Sequence, residues 1–86
     1  MNINDLITIV KKKLEENITL EDLIIEDKSF LHKNHKGNVE GKFHLKLTIK
    51  SIELKKESKI ASTKKIYSIL DYEIKKYIHS LQILIN

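Results

Sequence analysis

The chain has 86 residues, 41% apolar and 33% charged, which suits one small globular domain over residues 1–86 with no room for a second core. It contains no cysteine, which excludes a disulfide framework, a nucleophilic thiol and any thiolate ligand of its own. The net charge of +4 comes from 16 lysines against 12 acidic residues, so the arginine fork that reads guanine and clamps phosphate is absent.

No apolar run approaches the roughly 18 residues that a membrane-spanning helix needs. Met1 to Asp5 do not pair a basic region with an apolar core, as a signal peptide would. A cytoplasmic location is expected.

Residues 3–17 carry Ile3, Leu6, Ile7, Val10 and Leu14 at helical spacing, which predicts an amphipathic helix. Asn4 and Asp5 stand where a cap and a first-turn acid are favoured, Lys11 to Lys13 suit the far pole, and Asn17 closes the helix. Leu23 to Lys28, rich in branched residues, predicts a first strand. Ser29 to Gly41 is the one long loop, with both glycines and the pair His32 and His35.

Lys42 to Lys50 then alternates strictly. Phe43, Leu45, Leu47 and Ile49 share one parity, and His44, Lys46, Thr48 and Lys50 the other, which predicts a strand with one buried and one wet face. Ser51 to Ser58 is a short polar connection with room for one helical turn. Residues 59–77 read as a second long helix with Ile60, Thr63, Ile66, Tyr67, Leu70 and Ile74 on one face. Ile78 to Ile85 predicts the third strand, with His79, Leu81, Ile83 and Ile85 on one parity.

The order is helix, strand, strand, helix, strand. The first two strands pair antiparallel across the loop. The second and third are joined through a helix and should run parallel with a right-handed crossover. Parallel strands begin at the same end of a sheet, so His32, His35, His44 and His79, the only histidines, should gather there. Neutral imidazole suits iron, zinc and copper. The alternative for each histidine alone is an ordinary surface residue. No Ser/His/Asp order is compelling, and Gly37 to Gly41 is neither a phosphate loop nor a dinucleotide fingerprint. His44 with Glu26, Asp27 and Glu40 could supply an acid/base pair, although solvated rim charges explain these residues more simply.

Several segments, taken in order, are similar to the BolA family. They are Lys-Lys-Leu-Glu-Glu (12–16), Leu-Ile-Ile-Glu-Asp-Lys-Ser-Phe-Leu-His (23–32) and Phe-His-Leu-Lys-Leu-Thr-Ile-Lys-Ser (43–51), then Ile-Tyr-Ser-Ile-Leu (66–70) and Ile-His-Ser-Leu-Gln-Ile (78–83). The resemblance spans essentially the whole chain. It implies an α+β, KH-like αββααβ fold, a three-stranded mixed sheet with helices packed on one face. It also implies a non-enzymatic role beside a monothiol glutaredoxin, with a 2Fe–2S cluster shared between the two proteins; without the cluster the chain is expected to be a monomer. The partner would supply its active-site cysteine and a glutathione thiol. This chain would supply His32 and His79, with His35 as a substitute for His32.

Two departures stand out. Ser62, Thr63 and Lys64 occupy the positions of the family's usual Arg-His-Arg, and Leu54-Lys55-Lys56 replaces its usual Phe-x-Gly. The competing class of function is a KH-like nucleic-acid-binding transcription regulator, resting on the +4 charge and on Lys59, Lys64, Lys65, Lys75 and Lys76 of the second helix. The Gly-x-x-Gly clamp of an RNA-binding KH domain is missing from the helix junction.

Overall fold

Ile3–Asn17 form α1 in the computed structural model, which describes residues 1–29 and 42–86. The cap is Asn2 rather than Asn4: its side chain accepts from Asp5 N at 2.8 Å, and Asp5 is the first-turn acid. At the other end Asn17 Nδ2 donates to the Lys13 carbonyl at 2.7 Å, satisfying one of the last-turn acceptors. The last turn itself holds no base. Leu6, Val10 and Leu14 are buried, as the stripe predicts.

The remaining described elements are β1 (Asp22–Asp27), β2 (Phe43–Lys50), α2 (Ile52–Lys55), α3 (Lys59–Ile69), α4 (Asp71–Lys76) and β3 (Ile78–Ile85). The sheet order is β1-β2-β3, with β1 antiparallel and β3 parallel to the central strand. The parallel pair is therefore the one closed by the helical crossover, as expected.

Alternation on β2 divides the sheet. Leu45, Leu47 and Ile49 are buried against Leu6, Val10, Leu14, Ile66 and Leu70 from the helices. Register lines them up with Leu23 and Ile25 on β1 and with Leu81, Ile83 and Ile85 on β3. Each such aliphatic side chain contributes about 1.5–3 kcal/mol when fully buried. The opposite face carries Ile24, Thr48 and Leu84 in one cross-strand row and Glu26, Lys46 and Gln82 in the next. Ile24, Gln82 and Leu84 are exposed there, so the described helices lie on one face of the sheet.

Ser51 joins the sheet to the helical half. Its Oγ donates to the Thr19 carbonyl at 2.7 Å and accepts from Leu54 N, capping α2. The polar connection after β2 is thus a short helix.

The single helix expected over 59–77 is two. At Leu70 the backbone (φ −99°, ψ 15°) leaves the helical region, and this residue separates α3 from α4. The buried face also differs from the expected one. Ile66 and Leu70 are fully buried, but Ile60 is 71% exposed and Tyr67 is exposed. Ser62 and Glu73 hold the positions between. Both are polar and both are satisfied, which is why hydropathy alone misplaces the face. Ser62 Oγ donates to the Leu54 carbonyl at 2.7 Å, tying α3 to α2. Glu73, 4% exposed at its side chain, receives Lys13 Nζ on both oxygens at 2.8 and 2.7 Å.

That ion pair clamps α4 to α1. Lys13→Met leaves a buried carboxylate without its cation and is expected to lower the unfolding free energy by about 2 kcal/mol in urea denaturation. Adding Glu73→Leu should restore most of the loss, because the unpaired charge is then gone. A loss below about 0.5 kcal/mol in the single variant would mean that the pair behaves like a surface contact.

Candidate functional site

The start of β2 lies beside the start of β3. Phe43 is level with Ile78, but His44 is level with Ser80, so His79 is an extra residue on β3. This is a bulge at the end of a parallel pair, a place where bulges commonly re-aim a side chain. The bulge changes the face on which His79 sits. Simple parity groups it with Leu81, Ile83 and Ile85 toward the helices. The extra residue instead leaves Ile78 buried and puts both His79 and Ser80 among the exposed residues.

His44 is the reverse case. Its parity predicts a wet side chain, yet it is 4% exposed. Its Nδ1 shares a 2.6 Å hydrogen bond with Ser80 Oγ, its register partner. Its ring lies 5.0 Å from the His79 ring, centroid to centroid, tilted by 57°. The backbone around it is held on both sides. Lys28 N donates to the His44 carbonyl at 2.7 Å, His44 N donates to Ser29 Oγ at 3.0 Å, and Phe43 N donates to the Tyr77 carbonyl at 2.9 Å. Ser29 N in turn donates to Asp27 Oδ1 at 2.9 Å, a local turn that closes the end of β1.

The expected gathering of histidines is thus seen for His44 and His79. His32, His35 and Glu40 lie outside the described residues. Of the carboxylates weighed as acid/base partners, Asp27 receives Ser29 N, and Glu26 forms a 3.0 Å ion pair with Lys28. The Lys28 hydrogen bond and charge, with Lys46 nearby, hold the Glu26 carboxyl below the usual carboxylate range. Among the described residues no group of three or more His, Cys, Asp or Glu side chains could hold a metal ion. The described part of the site offers one exposed imidazole and one buried, hydrogen-bonded imidazole behind it.

Sequence reading missed Ser80 and Ser29. Serine at a strand start carries no distinctive signal. The one available hint is that Ser80 belongs to the Ile-His-Ser-Leu segment that follows the second long helix.

The lysines of the alternative site do not form a stripe. Lys59 and Lys64 are exposed, but at about 100° per residue Lys59, Lys64 and Lys65 point in different directions around α3. Lys65 reaches Glu57 at 3.0 Å and Glu53 at 3.5 Å, and the Glu57 hydrogen bond raises its pKa above the ordinary lysine value. Its charge is already answered within the chain.

Together these features define a class: an α+β domain with a mixed three-stranded sheet, helices on one face and a histidine lifted out of the sheet at the shared strand start. The BolA-like protein family model matches residues 14–86, and the chain belongs to that family. No curated protein sequence is significantly similar to it. Among solved structures, the BolA domain of SufE1 from Arabidopsis thaliana is 27% identical, with a TM-score of 0.78 over 100% of this chain and 93% of that one. BolA1 from Arabidopsis thaliana is 24% identical over 92% of this chain and 87% of that one, with a TM-score of 0.78. BolA1 from Mus musculus is 19% identical over 90% and 60%, with a TM-score of 0.71. The last two likenesses concern the fold alone.

Two of the residues noted above as departures, Ser62 and Lys56, have local roles or conformations that explain them. Ser62 is the buried hydroxyl that ties α3 to the Leu54 carbonyl. Lys56 has φ −73° and ψ −16°, an ordinary helical conformation that does not require glycine.

Ser80→Ala removes the hydroxyl bonded to His44 Nδ1. It should cost about 1–2 kcal/mol of stability and shift the His44 ring resonances in an NMR spectrum. Unchanged resonances and stability would show that Ser80 does not hold the ring.

Proposed function

We propose that this protein is a non-enzymatic iron–sulfur accessory protein that pairs with a monothiol glutaredoxin and contributes histidine ligands to a shared 2Fe–2S cluster. The observation that carries this reading is His79: an exposed imidazole on a bulge, at the end of the sheet, backed by a neighbour whose own nitrogen is engaged. Family membership agrees with it.

The donor chemistry fits. An exposed neutral imidazole is a good ligand for iron, and a cysteine-free chain leaves the thiolate positions to a partner and its glutathione. His79 would be one ligand from this chain. His32, with His35 as its substitute, is the proposed second. When bound, a 2Fe–2S cluster supplies one-electron chemistry, and replacing thiolates by imidazoles raises its potential and makes the ligands titratable. The chain's own residues do something simpler. Ser80 fixes the His44 ring, the His44 ring supports one side of His79, and the bulge turns His79 outward. Such support behind a ligand sets its orientation. This arrangement suits sensing a cluster or passing it on.

The test is a titration of the protein into cluster-loaded monothiol glutaredoxin, followed by visible absorption and circular dichroism. The wild-type chain should change the spectrum until the mixture is equimolar, and His79→Ala should abolish most of the change while remaining folded. An unchanged spectrum with the wild-type chain would defeat the proposal.

The nucleic-acid reading leads to a separate expectation. With Lys65 paired and no arginine present, duplex DNA should bind weakly, with a shallow salt slope and no sequence preference in an anisotropy titration. Tight, sequence-selective binding weakened by Lys59→Ala or Lys64→Ala would move the protein into the regulator class.

A further inference from the structure

Residues 77–86 carry no Asp, Glu or Lys, the longest uncharged run in a chain that is 33% charged. Almost all of this run is β3, which among the described residues is an edge strand. Edge strands offer unpaired N–H and C=O groups, and proteins normally guard them with lysine, proline, shortness or a covering element. The other edge follows that practice: β1 has six residues, and Asp22, Glu26 and Asp27 lie within it. The eight residues of β3 have neither charge nor proline.

The outward groups can be identified. Asn86 N donates to the Ile49 carbonyl of β2. Alternation then turns the backbone groups of Leu81, Ile83 and Ile85 away from β2. Among the described residues, the Tyr67 hydroxyl reaches this edge and donates to the Leu81 carbonyl at 3.3 Å. On the open face beside this edge, Leu84 is 46% exposed.

We propose that the outer edge of β3 is a pairing surface for a second copy of this chain, in an antiparallel, two-fold arrangement that makes one continuous six-stranded sheet. The occupant follows from three properties. First, such a pairing is self-complementary: an antiparallel partner related by a two-fold axis always meets the strand with matching parity. With Ile83 opposite its own copy, Leu81 faces Ile85, and all three outward residues exchange hydrogen bonds, the Leu81 carbonyl using the lone pair that the 3.3 Å Tyr67 contact leaves open. Helix-side residues meet helix-side residues, and Gln82 meets Leu84. Second, each copy carries a net +4 charge, so two copies repel except where they meet without lysines, and β3 is the uncharged surface that permits this. Third, Lys55 and Lys59 flank the C-terminal half of β3, in a groove of about 250 Å³ with Ile83, Leu84 and Ile85, and the Glu57 of this groove is already paired with Lys65. Antiparallel pairing sends the two lysine sets to opposite ends of the interface. His79 falls outside the paired segment in this register, so the dimer does not depend on the iron–sulfur reading.

The test combines sedimentation velocity with amide hydrogen exchange on the protein without metal or partner. From dilute to near-millimolar protein, the sedimentation coefficient should rise from monomer to dimer. Over the same range the amides of Leu81, Ile83 and Ile85 should slow about tenfold while those of β1 stay constant. The double variant Gln82→Lys with Leu84→Lys, both on the exposed face, places lysines across the two-fold and should hold the protein monomeric with an unchanged far-UV spectrum. A protein that stays monomeric at every concentration, or dimerises without protecting these three amides, overturns the proposal. So does a double variant that dimerises as readily as the wild type.

Discussion

The parallel pairing of β2 with β3 is the constraint on which the rest depends. A parallel pair cannot be closed by a tight turn, so the chain must leave the end of β2, cross over the sheet and return to its start. Here α2, α3 and α4 make that crossing, and they bury Leu54, Ile66 and Leu70 on the way. The same geometry brings His44 and His79 together although 35 positions separate their numbers, 79 less 44. The core and the site are therefore two results of one topological requirement.

What distinguishes the site is the division of labour between two imidazoles. Burial of His44 is compatible with stability because its ring nitrogen and its backbone are hydrogen-bonded. That makes it a rigid backing rather than a mobile rim residue. The bulge gives His79 the opposite environment. A ligand presented to a partner needs exposure, and a ligand that must keep its orientation needs a firm neighbour. The strand start supplies both. The crossover is secured elsewhere by Lys13 with Glu73 and by Ser62 with the Leu54 carbonyl, polar contacts that replace apolar packing at two points of the helical layer.

Much of this was legible in the sequence. The α1 and β3 limits coincide with the hydrophobic periods, the strand directions follow from the element order, and His44 and His79 meet as that order requires. The errors share a cause. Periodicity reports which residues are apolar, but it cannot report which polar residues find partners in the fold. Ser62, Glu73 and His44 are buried because Leu54, Lys13 and Ser80 satisfy them, and those partners are set by tertiary structure. The bulge at His79 is equally silent, since one extra residue beside Phe43 and His44 leaves no compositional trace.

The central claim is that His79 binds the metal of a shared cluster. Pulsed EPR on the reduced complex with a glutaredoxin, with only this chain labelled with ¹⁵N-histidine, tests it most directly. The account predicts a strong ¹⁵N coupling to the cluster spin that weakens in His79→Ala. A reduced cluster spectrum with no histidine coupling from this chain, in a complex that still forms, would contradict it.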